Sequence, residues 1–301
     1  MVPFSIHREA SGPHAGMVVV RLEQPGKPVI VLDHDLIRRM EATFQAVPRD
    51  ARGLVLASAS ERVFVAGADL KAISEWSDAE LMKYLEYAAG VFAMVSQMPF
   101  PTVAAINGAA LGGGLELAMH CDGLVAAPPP TREGQPGKPY PVGLPEAGLG
   151  LCPGWGGTNL LPARMDAAAA IRKTASGATM MYDEAVAAGL FDRIAPSAEQ
   201  LIPTAMAWLA DRSKTTRERD GAPLRWIGRP DRAPGTLAAL AAVKEECRAT
   251  EPGAAVCRAV ETGLTRGWEA AVDVERRELV RLRSTPGGKT ALAAFFAKGK
   301  K

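Results

Sequence analysis

Three observations predict an α/β fold. Short apolar runs alternate with amphipathic helical stretches from the N-terminus to about Ala195. Several of the junctions between run and helix are glycine-rich corners, as at Ala66-Gly67-Ala68-Asp69 and Gly112-Gly113-Gly114. From Pro196 onward strand-like runs disappear, and helical segments alternate with polar breaks at Ser213–Gly221 and Gly228–Gly235. The expected organisation is a core over residues 1–199 followed by a helical C-terminal region over 200–301.

Taken in order, Met17–Leu22 is β-branched and apolar and reads as a strand; Pro25-Gly26 breaks it, and Val29–Leu32 resumes as a second. Asp33–Val47 repeats apolar residues at Leu36, Ile37, Met40, Phe44 and Val47, the spacing of a helix. Gly53–Ala57 is a continuous apolar run, which fits a strand buried on both faces. Val63–Ala66 is another short strand, and a helix follows Asp69. Trp76–Gln97 carries a long helical stripe suited to core packing.

The stretch from Pro101 to Asp122 organises the rest. Thr102–Ile106 is a buried strand bounded by Pro101 and Asn107-Gly108. Gly112, Gly113 and Gly114 follow, and the helical pattern of Leu115–Cys121 begins at once. Bare backbone N–H groups thus stand at the positive end of a helix dipole, a place to hold negative charge. Gly123–Ala127 is a further short apolar run. Pro128–Tyr140 is rich in Pro, Gly and charge, and reads as an exposed surface insertion rather than a lid. Thr158 is a candidate cap for a helix at Leu160 and Leu161, Ala178–Leu190 is expected to be a helix, and Phe191–Ile194 a last strand. Val260, Leu264, Trp268, Val272, Leu279 and Leu282 fit one helix face, and Lys298–Lys301 forms a solvated tail.

Bulk properties bound the function. The 301 residues suffice for a full core, and 48% hydrophobic with 23% charged residues is ordinary for a globular protein. A net charge of +2 argues against nucleic-acid binding. Four cysteines without a C-x-x-C pair read as reduced thiols in a cytoplasmic protein. No run approaches the length of a membrane span, and the first residues lack a signal pattern.

The chemistry concentrates at the glycine corners. If folding brings the two together, two backbone N–H groups converge on one oxygen, an oxyanion hole that only small residues leave open. Glu116 and Glu146 are the carboxylates set in glycine-rich, apolar surroundings, which raise a carboxyl pKa into the range useful for proton transfer. Taken singly, a glutamate is more often a helix cap or a surface residue, and it is the glycine-rich context that sets these two apart. Asp69 and Asp122 read as turn-stabilising residues. Glu116 and His120 lie one helical turn apart but have no second pair nearby, so no metal site is expected. Neither a G-x-G-x-x-G fingerprint nor a G-x-S-x-G elbow is present.

Three motifs in one order resemble the crotonase, or enoyl-CoA hydratase/isomerase, superfamily over roughly Val18–Ala195. They are Val65-Ala66-Gly67-Ala68-Asp69-Leu70-Lys71; Ala104–Gly108 with Gly112–Glu116; and Leu144-Pro145-Glu146 with Pro153–Thr158. The resemblance implies a crotonase-like ββα spiral core and a coenzyme A thioester as substrate, with no separate cofactor. It implies that the amides of Ala68 and Gly113 hold the thioester oxygen. Ala66, Gly67, Asp69, Leu70, Lys71, Gly112 and Trp155 would lie along the substrate, Lys71 beside its coenzyme A part. Glu116 would act on a water and Glu146 on the α carbon, the pairing of a hydratase of fatty-acid β-oxidation. A Δ3,Δ2-enoyl-CoA isomerase using Glu146, and a non-catalytic acyl-CoA-binding subunit of an oxidation complex, are the alternatives. Glu275–Phe296 resembles the segment that joins hydratase to dehydrogenase in multifunctional fatty-acid oxidation proteins, so a separate 3-hydroxyacyl-CoA dehydrogenase is an expected partner. A homo-oligomer, trimer or hexamer, is also implied. Glu116 and Glu146 stand 30 positions apart, more than the family's pattern; the excess falls in the Pro128–Tyr140 loop.

Overall fold

The computed structural model describes residues 2–27, 29–131, 135, 137–212 and 219–298. Parts of the Pro128–Tyr140 loop, positions 213–218 of the expected polar break and 299–301 of the expected tail lie outside them.

The chain opens with strands β1 (Ile6–Arg8) and β2 (Met17–Leu22) and helix α1 (His34–Ala46). Strands β3 (Gly53–Ser58) and β4 (Val63–Val65) lead into helices α2 (Leu70–Glu75) and α3 (Asp78–Ser96). Strands β5 (Thr102–Ile106) and β6 (Ala109–Leu111) lead into α4 (Gly113–His120). Then come β7 (Gly123–Ala126), β8 (Pro141–Gly143), a 3-10 turn at Glu146–Leu149, α5 (Gly157–Leu160) and α6 (Ala167–Ser176). The core closes with β9 (Met180–Met181), α7 (Tyr182–Ala187), β10 (Arg193–Ile194) and α8 (Leu201–Ala210). Four C-terminal helices follow: α9 (Ala233–Cys247), α10 (Glu251–Arg266), α11 (Trp268–Arg283) and α12 (Pro286–Lys298).

Two sheets share the strands in alternation. One runs β1-β2-β3-β5-β7-β10 and the other β4-β6-β8-β9. Thus β3, β5 and β7 join the large sheet, while β4, β6 and β8, each next in the chain, join the small one. That is a spiral of ββα turns. The central parallel strands β3, β5 and β7 are buried at all but the last residue of β3, which explains their apolar runs. One face packs Val55, Val103 and Val125 against Leu201, Trp208 and Leu209 of α8. The other face joins a core that runs without interruption across residue 199, from Val18 to Val256 and Leu279.

Local chemistry explains the helix starts. Asp33 caps α1 by accepting from Leu36 N at 2.7 Å, and Ser77 with Glu80 forms a capping box on α3. Four expectations need correction. Val29–Leu32 forms no strand, only a single bridge from Leu32 to Ala68. The expected Ala178–Leu190 helix is shortened to Tyr182–Ala187, because Met180 pairs with Val142 before α7 begins. The apolar face from Val260 to Leu282 belongs to two helices, parted at Gly267 with φ +92°, where the chain turns back. Gly156, not Thr158, caps α5, and the Thr158 hydroxyl turns to Glu275 instead. Among the described residues no helix is long and apolar enough to cross a membrane.

Candidate active site

Strands β4, β6 and β8 are adjacent and parallel, with Val65 opposite Ala110 and Leu111 opposite Gly143. Parallel neighbours end on the same edge, so whatever follows them in the chain is brought together there. After β4 comes Ala66-Gly67-Ala68, after β6 Gly112-Gly113, and after β8 Leu144-Pro145-Glu146. The two corners read from the sequence therefore meet, and the second acid arrives beside them. The long 128–140 loop does not disturb this, because the chain returns to the small sheet in register at Val142.

Two amides beside the junction are left over by the local hydrogen-bond ladders. The bridge at Leu32 uses Gly67 O (2.8 Å) and Asp69 N (3.2 Å), which leaves the Ala68 N–H turned out of the ladder. Gly113 is the first residue of α4, where an N–H has no intrahelical acceptor. Glycine is needed at both positions 112 and 113. Gly112 has φ +52°, and a Cβ there would come within 2.4 Å of Glu146 Oε1. A Cβ on Gly113 would come within 2.3 Å of the Trp155 ring.

These corners open on a cavity of about 250 Å³. Ala66, Gly67, Ala68, Gly112 and Gly113 form one side, and Glu116 and Glu146 project into it. Leu70, Leu151, Trp155, Leu279 and Phe295 supply apolar walls. A larger hollow of about 490 Å³ under the 128–140 loop, by Arg62, Asn107 and Lys138, shares no residue with it.

The acids are held differently. Glu116, 1% exposed, accepts through Oε1 from the backbone N–H groups of Trp155 and Gly157, both at 2.8 Å. Its Oε2 is buried and has no protein partner, and the same holds for Oε2 of the half-buried Glu146. Burial, reinforced by the charges of Glu275 and Glu146, pushes the Glu116 carboxyl well above its usual range, against the two backbone bonds. Burial pushes Glu146 up to about 8, and Glu275 adds to the rise. A carboxyl at that value carries a proton at neutral pH and can give it up.

Of the residues expected along the substrate, the fold brings Ala66, Gly67, Ala68, Leu70, Gly112, Gly113 and Trp155 to the cavity and leaves two out of its lining. Asp69 caps α2, accepting from Lys71 N and Ala72 N. Lys71 is exposed, with Nζ 4.0 Å from Glu75. His120 is a core histidine: its ring nitrogens meet Ser96 Oγ at 2.9 Å and Trp155 O at 3.0 Å, and burial lowers its pKa to about 4. Among the described residues no group of three or more His, Cys, Asp or Glu is placed to hold a metal.

Sequence reasoning missed Glu275. It is fully buried, accepts from Gly156 N, Thr158 N and Thr158 Oγ1, and burial pushes it up to about 7. A signal existed, since Glu275 lies three residues after Val272 and four before Leu279, on the apolar stripe of its helix.

A family model described as enoyl-CoA hydratase/isomerase matches residues 12–218. Among solved structures, human mitochondrial delta3-delta2-enoyl-CoA isomerase superposes with a TM-score of 0.67 at 23% identity, over 98% of each chain. Enoyl-CoA hydratase from Bacillus anthracis gives 0.58 at 23% identity, over 97% of this chain and 96% of that one. An enoyl-CoA hydratase/isomerase from Pseudoalteromonas atlantica gives 0.63 at 19% identity, over 98% and 97%. At these identities the likeness speaks for the fold: it is the crotonase fold.

Proposed function

The chain belongs to the enoyl-CoA hydratase/isomerase family, and from that premise we propose that it adds water reversibly to 2-enoyl-CoA thioesters. The observation that carries the choice of hydration is that two carboxylates each turn an unpartnered, buried oxygen to one cavity. Proton transfer within a substrate needs one such group; adding water needs one to take a proton and one to give it.

In this reading the amides of Ala68 and Gly113 receive the thioester oxygen. Each donor aimed at the developing enolate is worth about 3 kcal/mol in a water-poor site. Glu116 Oε2 takes a proton from water as its oxygen bonds to the β carbon. Electrons of the double bond move toward the thioester oxygen. Glu146 then gives its proton to the α carbon, and the proton now on Glu116 returns to Glu146, directly or through solvent, before the next turnover. The pair thus works with one shared proton. The Trp155 and Gly157 amides on Glu116 Oε1 favour the charge there, while Glu146 has only its own backbone amide to do so, which favours the proton on Glu146. The chemistry calls on no metal or redox group. Oligomerisation and a separate dehydrogenase acting on the 3-hydroxyacyl product belong to the same reading, supported by the family resemblance alone.

The test is the loss of ultraviolet absorbance of crotonyl-CoA and longer analogues, since hydration removes the conjugation. Glu116→Gln keeps an oxygen for the two backbone donors but cannot take a proton. It should slow hydration by roughly 10²–10⁴-fold. Full hydration by this variant would refute the role given to Glu116, and isomerisation of 3-enoyl thioesters without hydration would favour the isomerase. A wild-type chain that binds coenzyme A thioesters yet turns over none of them would favour the acyl-CoA-binding role.

A further inference from the structure

Four consecutive backbone amides, Trp155 to Thr158, are divided between two acids. Trp155 N and Gly157 N donate to Glu116 Oε1, both at 2.8 Å. Gly156 N donates to Glu275 Oε2 at 2.5 Å and Thr158 N to Glu275 Oε1 at 2.8 Å. The Thr158 hydroxyl adds a third bond to Glu275. The turn is therefore gripped from both sides, by Glu116 on α4 and by Glu275 on α11, more than a hundred residues later in the chain. Gly156 holds φ +100° in the middle of it, a backbone conformation that glycine adopts without strain. Glu275 is not in the cavity lining, so it does not meet substrate.

We infer that Glu275 is a positioning residue for Glu116. By clamping the Gly156 and Thr158 amides it fixes the Trp155 and Gly157 amides between them. These hold one oxygen of Glu116 and leave the other no direction but the cavity. This rests on the reading above in which Glu116 acts on the water. Without the clamp, two amides lose their acceptors and the turn can rotate to find new ones. Glu116 then loses its fixed oxygen, while Glu146, carried by a different strand end, keeps its place. The two half-reactions separate on this point. Addition of water needs Glu116; removal of an α proton to give the enolate needs Glu146 and the two amides of the oxyanion site.

The experiment is Glu275→Gln in the full chain, whose single carbonyl oxygen replaces only one of the two acceptor oxygens. Hydration of crotonyl-CoA should lose at least tenfold in kcat with KM within twofold. Exchange of the α proton of butyryl-CoA with deuterated solvent, compared at the plateau of each protein's pH profile, should stay within twofold, the profile itself moving to lower pH as the Glu275 charge is lost. Amide hydrogen exchange at Trp155 and Gly157 should quicken by tenfold or more, with the melting transition still cooperative. An equal fall in hydration and α-proton exchange, unchanged hydration, or unchanged protection of those two amides would overturn the inference. Should Glu275→Gln fail to fold, Glu275→Asp shortens the reach by one methylene and should show the same split in smaller measure; a variant with both activities intact overturns it. If the wild-type chain hydrates nothing, the proposed function has failed, and the amide exchange still decides whether the clamp exists.

Discussion

Glu146→Gln should stabilise the protein, and only where pH ionises the wild-type side chain. The carboxyl has its usual value of 4.5 in the unfolded chain and is pushed up to about 8 by burial in the fold. An acid raised on folding contributes stability that is full below pH 4.5 and is lost as pH climbs through about 8. One unit of displacement corresponds to about 1.4 kcal/mol. At pH 7 the unfolded chain has ionised this group while the folded one resists, a penalty of up to about 3 kcal/mol. Glutamine has the shape of the protonated acid and never ionises. Urea titrations at pH 4.5 should therefore find variant and wild type alike, and at pH 8 the variant ahead by a few kcal/mol. Its hydration activity should meanwhile fall by roughly 10²–10⁴-fold, since it can neither give nor recover the α proton. A stability difference that is flat with pH, or a variant less stable at pH 8, would refute the reasoning.

Two further substitutions probe the walls of the same cavity. Gly112→Ala puts a Cβ within 2.4 Å of Glu146 Oε1 at φ +52°, so it should displace the acid, lower stability by roughly 1–3 kcal/mol and abolish most hydration; a fully active variant would show that Glu146 does not work from that position. Leu279→Ala empties part of the apolar wall, costing about 2–5 kcal/mol on thermal or urea unfolding, and should raise kcat/KM for longer acyl chains relative to crotonyl-CoA. An unchanged chain-length profile would place the acyl group elsewhere.

The parts of this fold that were legible from sequence are the ones whose signal is local. Gly53–Ala57 and Thr102–Ile106 declare themselves because a strand buried on both faces is apolar at every position. Ala109–Leu111 and Pro141–Gly143 are too short to show any period, yet these are the strands that bring the site together. Glu116 and Glu146 stood out because acids among glycines and apolar residues are unusual wherever the chain takes them. Asp69 was legible as a turn residue and does cap α2, a role its local turn sets, while Lys71 stands exposed outside the cavity lining. Gly267 hid a chain reversal, since the apolar spacing on either side continues in phase.

Glu275 is the most instructive omission, because its role follows from a cost. A carboxylate buried without a cation is expensive, and three acids whose charges act on one another are more so. The fold meets part of that cost with four backbone amides and one hydroxyl, five bonds from only four residues, Trp155 to Thr158. The remainder appears as raised proton affinity, which an acid–base pair operating near neutral pH requires. Orientation and proton affinity therefore share one origin. Moving Glu275 away would lower the electrostatic burden on Glu116 and loosen its aim in the same stroke, so the α11 helix belongs to the chemistry as much as to the core it helps to fill.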